Sequence, residues 1–207
     1  MKFKFLVFTA LLILSGLTES HAQTFKAGLI AGLNASQING DNVGGYSNPG
    51  IRAGIRVSTI LKDRLRVDTD MLFSQRGSRP SSTEFRATGQ NWKFRMDYVE
   101  VPVTLRFSDW YVDDGDYYKV YAKAGLTYGR FFRSANSIDS PFRTLDEYIR
   151  PNDLAVTVGL GLYANKNVQT ELNFTRSLFP FYVPQTGQPW SRFLVGYFFS
   201  IQIMYEI

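Results

Sequence analysis

Residues 192–207 read RFLVGYFFSIQIMYEI, and the side chains of this stretch alternate between two kinds. Phe193 and every second residue after it, as far as Ile207, are apolar or aromatic, while the other positions grade from mixed to polar, ending in Gln202 and Glu206. Successive side chains of a β-strand point to opposite faces. The stretch therefore predicts a strand with one apolar and one wetter face. Because the stretch lies at the C-terminal end of the sequence, we expect it to be a last strand that closes a barrel.

The N-terminal region has the pattern of an export signal. Two lysines precede an apolar run over residues 5–17, and Ser-His-Ala follows at residues 20–22. The apolar run is shorter than the ~20 residues that a transmembrane helix needs. The pattern therefore predicts a secretory signal peptide over residues 1–22, followed by one domain over residues 23–207.

The composition narrows the class of protein further. The chain has 44% hydrophobic residues, no cysteine and a formal net charge of +5. Without cysteine, an exported chain has no disulfide framework and no lipoprotein attachment site, so its stability has to come from its own core or barrel. A net charge this modest gives no argument for nucleic acid as a partner, and we expect none.

Eight segments alternate with period two, each about as long as a tilted strand that crosses a bilayer. They are residues 25–33, 51–57, 65–74, 98–107, 120–128, 154–162, 168–175 and 192–207. The intervening segments are alternately long, at 35–48, 77–91, 133–151 and 179–191, and short, at 61–64, 108–116 and 165–167. Long outer loops, short periplasmic turns and an even strand number are typical of outer-membrane barrels. The sequence therefore predicts an all-β fold, an eight-stranded antiparallel transmembrane β-barrel.

The second face of the predicted strands carries charges of both signs. These residues are Lys26, Arg52, Arg56, Arg66, Asp68, Asp70, Glu100, Arg106, Lys123, Glu171 and Glu206. The interior of an eight-stranded barrel is just wide enough for side chains to fill. We therefore expect a paired charge network in a plugged lumen, without a continuous water channel. The alternative is a soluble barrel whose apolar face points inward and whose charged face is solvated.

Aromatic residues collect near the predicted strand ends. They are Tyr46, Trp92, Trp110, Tyr111, Tyr117, Tyr118, Phe179, Tyr182 and Trp190. Aromatic rings with a polar tip favour the head-group level of a membrane, so we expect these residues to form two interfacial girdles. For each single residue, an ordinary packed loop aromatic is an equal alternative.

The chain offers few residues for catalysis or metal binding. Its only histidine, His21, lies in the predicted signal peptide, and cysteine is absent. We therefore expect no enzyme, and no catalytic, cofactor-binding or metal-binding residues. Asp68 and Asp70 share a strand face, and neighbouring arginines favour ion pairing over acid-base catalysis or calcium binding. Pro102 interrupts a strand that looks central, which predicts a bulge or kink beside Glu100.

The second and third long loops combine basic and aromatic residues. The candidate contact residues are Arg79, Arg86, Trp92, Arg133, Arg143, Tyr148 and Arg150. Such side chains, just above an aromatic girdle, suit the phosphates of lipopolysaccharide or a protein ligand. The alternative is a solvated loop whose arginines only keep it soluble.

Three short motifs resemble the landmarks of a known family. They are GLNAS at residues 32–36, FSQRG at residues 73–77 and YVEVP at residues 98–102. With these motifs in this order and spacing, the chain resembles the PorT-type outer-membrane β-barrel family. The resemblance implies a small eight-stranded meander of the OmpA/OmpX kind. It implies little about activity, although the founding member is linked to protein secretion across the outer membrane.

These observations together predict a barrel in the outer membrane of a Gram-negative bacterium. We expect a non-enzymatic structural or interaction protein that acts through its extracellular loops. Its expected neighbours are outer-membrane lipid, lipopolysaccharide and the barrel assembly machinery, and a protein ligand at the loops is a further candidate. Two alternatives stay open: an accessory component of an outer-membrane secretion apparatus, and a soluble periplasmic lipid-binding barrel.

Overall fold

The computed structural model describes residues 25–137, 139–142, 145–184 and 190–207, so the predicted signal peptide lies outside the described residues. Its strands are β1 (Phe25–Asn39), β2 (Asn48–Lys62), β3 (Leu65–Ser78), β4 (Phe94–Val112), β5 (Tyr117–Asn136), β6 (Asn152–Tyr163), β7 (Val168–Ser177) and β8 (Val195–Glu206). A short helix, α1 (Ser82–Thr88), precedes β4, and single 3₁₀ turns occupy Asp113–Gly115 and Asp146–Tyr148. Within these residues, no helix is long and apolar enough to cross a membrane.

Each strand pairs antiparallel with its neighbour in sequence, and β8 pairs with β1 to close the barrel. The closing pair runs from Gly28 opposite Glu206 to Asn39 opposite Val195. Short connections, 63–64, 113–116 and 164–167, lie at one end, and long ones, 40–47, 79–93, 137–151 and 178–194, lie at the other. The predicted fold class and loop alternation are therefore confirmed. By this pattern, the long loops mark the extracellular end and the short turns mark the periplasmic end.

The outer wall of the barrel is an apolar belt. Leu29 is 57% exposed, Val158 45% and Ile203 58%, and the same face carries further exposed leucines, isoleucines and valines on every strand. Soluble monomers rarely expose a contiguous apolar surface of more than a few hundred Å². The apolar residues at alternate positions of each strand therefore face outward, where a membrane supplies the apolar surroundings.

The interior changes character along the barrel axis. In the membrane-spanning half it is polar and ionic, whereas the extracellular mouth is filled by an apolar cluster. The buried members of this cluster, which we call the cap, are Ile38, Trp92, Phe94, Met96, Tyr98, Phe142, Leu145, Ile149, Phe181, Tyr182 and Leu194. Since these residues come from strand ends and from the long loops, the loops fold inward over the mouth of the barrel.

The cap corrects part of the girdle prediction. Trp92 is 6% exposed and Tyr182 is fully buried, and Trp190 packs against the same cluster, so these three rings belong to the cap and not to a membrane interface. The rest of the prediction stays open. Trp110 and Phe179, exposed to 62% and 60%, remain available as interfacial aromatics.

The strand ends differ from the period-two boundaries. β1 continues to Asn39 and β5 to Asn136, inside segments that the sequence pattern placed in loops. β8 begins at Val195, three residues later than the alternation indicates. Ile38 on the extension of β1 belongs to the cap, and Phe131 on the extension of β5 packs against it, so the cap supports these strand ends.

The bulge predicted at Pro102 is wrong. The register of β4 does not shift there, although the pairing with β3 is interrupted between Val103 and Glu100, where proline lacks an N–H donor. The β4–β5 register shift lies instead between Asp97 and Tyr98. A bulge at this position adds a residue to β5 just where the barrel leaves the membrane-spanning region.

Glycines in β6 make room for lumen side chains. A Cβ atom at Gly161 would overlap the ring of Tyr121, and one at Gly159 would overlap the amide of Asn173. Both neighbours are buried and point into the lumen. The glycines therefore let an aromatic ring and an amide pack directly on the barrel wall.

Candidate functional site

The centre of the lumen holds a cluster of charges built around Arg56 and Glu171. The Nε atom of Arg56 donates to Oδ1 of Asp70 at 2.6 Å, and its Nη1 atom contacts Glu171. The Nζ atom of Lys123 donates to the same Glu171 at 2.5 Å, and so does the amide of Gln202. Because these residues come from β2, β3, β5, β7 and β8, the cluster crosses the lumen from wall to wall.

A second buried pair continues the cluster towards the periplasm. Arg106 donates through Nε to Oδ2 of Asp68 at 2.7 Å and through Nη1 to the Tyr163 hydroxyl at 2.8 Å. The Ser58 hydroxyl donates to the other oxygen of Asp68 at 2.6 Å. The guanidinium of Arg106 also lies 4.1 Å from the centre of the Tyr121 ring. Both carboxylate oxygens of Asp68 are therefore satisfied.

A third group lies on the extracellular side of the centre. Glu100 accepts hydrogen bonds from Arg52 at 2.5 Å and from Arg76 at 2.6 Å, and Arg76 also donates to Asp153 at 2.5 Å. The Arg76 guanidinium stacks at 4.7 Å over the ring of Phe198. This group joins the ionic centre of the lumen to the apolar cap.

The periplasmic mouth holds the last predicted network residues. Glu206 accepts a hydrogen bond from Lys26 at 2.6 Å and another from Arg66 at 3.5 Å. Lys26 retains 35% exposure of its side chain, whereas Glu206 is almost fully buried. Together with Tyr163 these residues border an open cavity of about 340 Å³ at the periplasmic end.

All eleven predicted lumen charges therefore lie inside the barrel, and each has an oppositely charged partner. Sequence reasoning missed two members, Arg76 and Asp153. The third alternating segment ends at residue 74, before Arg76, and the sixth begins at residue 154, just after Asp153. Extending the alternation by one step at the extracellular ends of β3 and β6 finds both residues.

The paired geometry also limits the chemistry of the lumen. Asp70 is held by Arg56, and both oxygens of Asp68 are occupied by Arg106 and Ser58, so neither acid has the freedom of a catalytic base. Among the residues that the structure describes, no cluster of three or more acidic, histidine or cysteine side chains is placed to hold a metal ion.

The predicted loop contacts are divided among three environments. Arg79, Arg86, Tyr148 and Arg150 are exposed on the long loops. Arg133 is exposed but fixed, because its Nη2 atom donates to Asp97 at 2.6 Å. Trp92 is 6% exposed and packs in the cap, so it is not one of the exposed side chains on the loop surface. Arg143 lies outside the described residues.

Hydrogen bonds to loop carboxylates hold the extracellular end in place. Glu84 closes a capping box with Ser81 at the start of α1, and its other oxygen accepts the Gly44 N–H at 2.7 Å, which ties the first long loop to the second. These backbone hydrogen bonds lower the pKa of Glu84. Burial has the opposite effect on Asp41 in the first loop, where it raises the pKa to about 6.

The two ends of the barrel differ in exposed charge. The exposed basic side chains at the extracellular end, which we call the basic rim, are Arg79, Arg86, Arg130, Arg133, Arg150, Arg176 and Arg192, against the exposed acids Asp139 and Glu147. At the periplasmic end, the exposed acids are Asp63, Asp109, Asp113, Asp114 and Asp116, against Lys62, Arg64 and Lys166. The described extracellular surface is therefore basic and the periplasmic one is acidic.

A closed eight-stranded barrel with an apolar outer belt, an ionic interior and unequal loops defines a small outer-membrane β-barrel. The family model of the outer membrane protein beta-barrel domain matches residues 21–183, and the chain belongs to that family. The protein is therefore an outer-membrane protein, and the alternative of a soluble periplasmic barrel is wrong.

Several solved structures are similar to this chain at low sequence identity. The attachment invasion locus protein Ail of Yersinia pestis, solved with the heparin analogue sucrose octasulfate, is 11% identical, with 88% of this chain and 99% of that chain covered and a TM-score of 0.47. Neisserial surface protein A is 13% identical, with 89% and 99% covered and a TM-score of 0.46. OprG of Pseudomonas aeruginosa is 11% identical, with 88% and 94% covered and a TM-score of 0.43. No curated protein is similar enough in sequence to match.

Proposed function

We propose that this barrel is a non-enzymatic structural and interaction protein with a plugged lumen, and that its basic rim binds the phosphate groups of lipopolysaccharide. The observation that carries the proposal is the excess of exposed arginine at the extracellular end. Guanidinium groups form strong charge-assisted hydrogen bonds with phosphate. The outer leaflet that surrounds this end presents lipopolysaccharide to them.

Two arginines on the outer wall lie where the belt meets the rim. Arg130 donates to Asn152 at 2.7 Å, and the Tyr128 hydroxyl donates to the same oxygen at 2.8 Å. Arg176 projects from the outer wall of β7 and interacts electrostatically with Tyr46. A cation beside an interfacial tyrosine suits the level at which lipid phosphates lie.

The test compares two variants that lose the same charge at opposite ends. In detergent micelles, the folded barrel is titrated with lipopolysaccharide and with its dephosphorylated form. Replacing Arg79, Arg86 and Arg150 together by glutamine is expected to weaken binding of the phosphorylated form at least tenfold. The control replaces Lys62, Arg64 and Lys166 by glutamine and is expected to bind normally. Equal binding of the two lipid forms by the unaltered protein contradicts the proposal.

The second candidate function, an accessory role in an outer-membrane secretion apparatus, rests on the PorT-type motifs and on one periplasmic feature. In the described structure, residues 109–112 of β4 and 117–119 of β5 extend beyond the ends of β3 and β6 and have no partner on those strands. This hairpin exposes Trp110 and Tyr111. An exposed aromatic hairpin offers a contact surface to a periplasmic partner.

Deletion of the gene separates the two candidates. An unchanged secreted proteome removes the secretion role. Loss of secretion supports it, provided that the unaltered protein restores secretion and the Trp110→Ala, Tyr111→Ala double variant does not. Loss of phosphate-dependent lipid binding in the rim variant, with secretion intact, supports the first candidate alone.

A further inference from the structure

The four extracellular loops meet around a second cavity that the basic rim does not include. The cavity has a volume of about 460 Å³, within the range of small-ligand sites. Asp41 and Asn42 line it from the first loop, Gln90 and Asn91 from the second and Trp190 from the fourth. The third loop adds Asp139.

The apolar part of the cavity is an aromatic base that is rigidly held. Trp92 and Trp190 both line the cavity, and both pack on Phe142, with ring centroids 5.2 Å and 4.8 Å away. The indole N–H of Trp190 donates to the carbonyl of Gly40 at 3.1 Å, and its own carbonyl accepts from Tyr182. The base is therefore fixed by the cap before any ligand arrives.

The polar part of the cavity has unused hydrogen-bonding capacity. Within the part of the chain that the structure describes, the side-chain amides of Gln90 and Asn91 are exposed and have no protein partner, so their donors and acceptors are free to bind a ligand. These groups favour a ligand that brings several donors and acceptors of its own.

The charge of the lining separates this cavity from the rim around it. No lysine or arginine is among the described residues that line it, whereas two carboxylates are. Arg192 lies nearby, but its Nη1 atom is engaged with Asn42 at 2.5 Å. A phosphate or sulfate group would face carboxylates here, so an anionic ligand does not fit.

We propose that this cavity binds an uncharged sugar unit of a glycan. A sugar ring offers an apolar C–H face to an indole and hydroxyl groups to amides and carboxylates, which matches the two halves of the cavity. The inference goes beyond the proposed function, since phosphate binding at the rim does not require the cavity.

The positions of the three tryptophans give a direct assay. Trp92 and Trp190 line the cavity, and Trp110 lies at the periplasmic end, so a Trp110→Phe variant confines tryptophan emission to the cavity. The folded variant in micelles is titrated with uncharged mono- and disaccharides of glucose, galactose, mannose, fucose and N-acetylglucosamine. Separate arms use a neutral oligosaccharide released from lipopolysaccharide and one released from a glycoprotein, which distinguishes a bacterial from a host source.

At least one sugar is expected to give a saturable emission change with a dissociation constant in the millimolar range or below, unaffected by added salt. Gln90→Ala and Asn91→Ala are each expected to weaken this binding at least fivefold. Thr83→Ala, in the same loop but outside both the cavity lining and the basic rim, is the control and is expected to bind normally. The gel shift between boiled and unboiled samples shows that each variant is folded.

Saturation-transfer NMR on the same samples detects a bound sugar that leaves indole emission unchanged. Absence of binding by both methods for every sugar overturns the proposal. Binding that Gln90→Ala and Asn91→Ala leave untouched overturns it as well. Loss of salt-dependent phosphate binding in the rim variant is a separate outcome, so the two proposals fail independently.

Discussion

Arg56 on β2 forms a buried ion pair with Glu171 on β7, three strands away around the barrel, and so links opposite walls across the lumen. The same guanidinium also binds Asp70 on β3. Removing charges from water is costly, so such a network adds little net stability over apolar packing. Breaking it, however, leaves the remaining buried charges without a partner. The pair is therefore a sensitive point of the fold.

Replacing Arg56 by leucine leaves two buried carboxylates without their main cation. The free energy of unfolding is expected to fall by about 3–5 kcal/mol. Urea titration of the barrel in lipid vesicles measures it. The control is Arg64→Leu, which removes an exposed pair with Asp109 of the kind that contributes about 0–1 kcal/mol. If the free energy of unfolding falls equally in the two variants, Arg56 does not stabilise the barrel by linking its walls across the lumen.

Gly161 is expected to resist even the smallest added side chain. A methyl group there overlaps the buried Tyr121 ring, whose hydroxyl is fixed by hydrogen bonds to Gln169 and Glu171. Gly161→Ala is therefore expected to destabilise the barrel by about 1–3 kcal/mol, the usual cost of overpacking. Gly196→Ala, whose Cβ would meet only the Ser177 hydroxyl at 3.7 Å, serves as the matched control in the same titration.

The destabilisation caused by a charged residue in the outer belt is expected to depend strongly on its depth in the membrane. Val158 lies midway along the exposed face of β6, whereas Leu61 is exposed beside the periplasmic turn. Val158→Arg is expected to cost about 2–4 kcal/mol and Leu61→Arg about 0–1 kcal/mol, because the penalty for a charge falls towards the membrane interface. If the two variants unfold at the same urea concentration in vesicles, the belt is not in contact with lipid.

The first extracellular loop is expected to loosen as the pH rises. Burial raises the pKa of Asp41 to about 6, so the folded loop binds the proton more tightly than the unfolded loop does. The stabilisation is full below the ordinary pKa of about 4 and is lost as the pH rises through about 6. The pKa of Glu84 is shifted in the other direction, because the backbone hydrogen bonds that it accepts lower it.

Hydrogen exchange of the amides near Val43 measures this effect. Exchange, corrected for its intrinsic dependence on pH, is expected to be better protected at pH 5 than at pH 7. Asp41→Asn removes the titrating group and is expected to abolish the difference. A difference that persists in this variant means that another group controls the loop.

The alternation of side chains was enough to predict the part of the fold that contacts lipid. Leu29, Val158 and Ile203 must be apolar because they face the membrane, while their neighbours face the lumen, so the period of two is strict there. The lumen charges were predictable for the same reason. Their individual partners were not, because register and the angle around the barrel are properties of the closed structure.

The extracellular end was less predictable for a physical reason. Phe94 and Met96 point inward yet are apolar, since the cap replaces the polar lumen at that level. Their neighbours Arg95 and Asp97 are charged, so the alternation continues there with apolar side chains inward and charged ones on the other face, the reverse of the pattern in the lipid-facing region. The same change hid the inward positions of Trp92 and Tyr182, whose rings resemble girdle residues in sequence. Only contact among four loops brings them together.

We propose that the lumen is a structural core and that the barrel acts from its surface. The decisive measurement is conductance across planar bilayers, with protein whose gel shift shows a folded barrel. Because Arg56, Glu171 and Lys123 cross the lumen and the cap fills its mouth, we expect no large, steady conductance. Large, steady single-channel currents from the folded protein would contradict it.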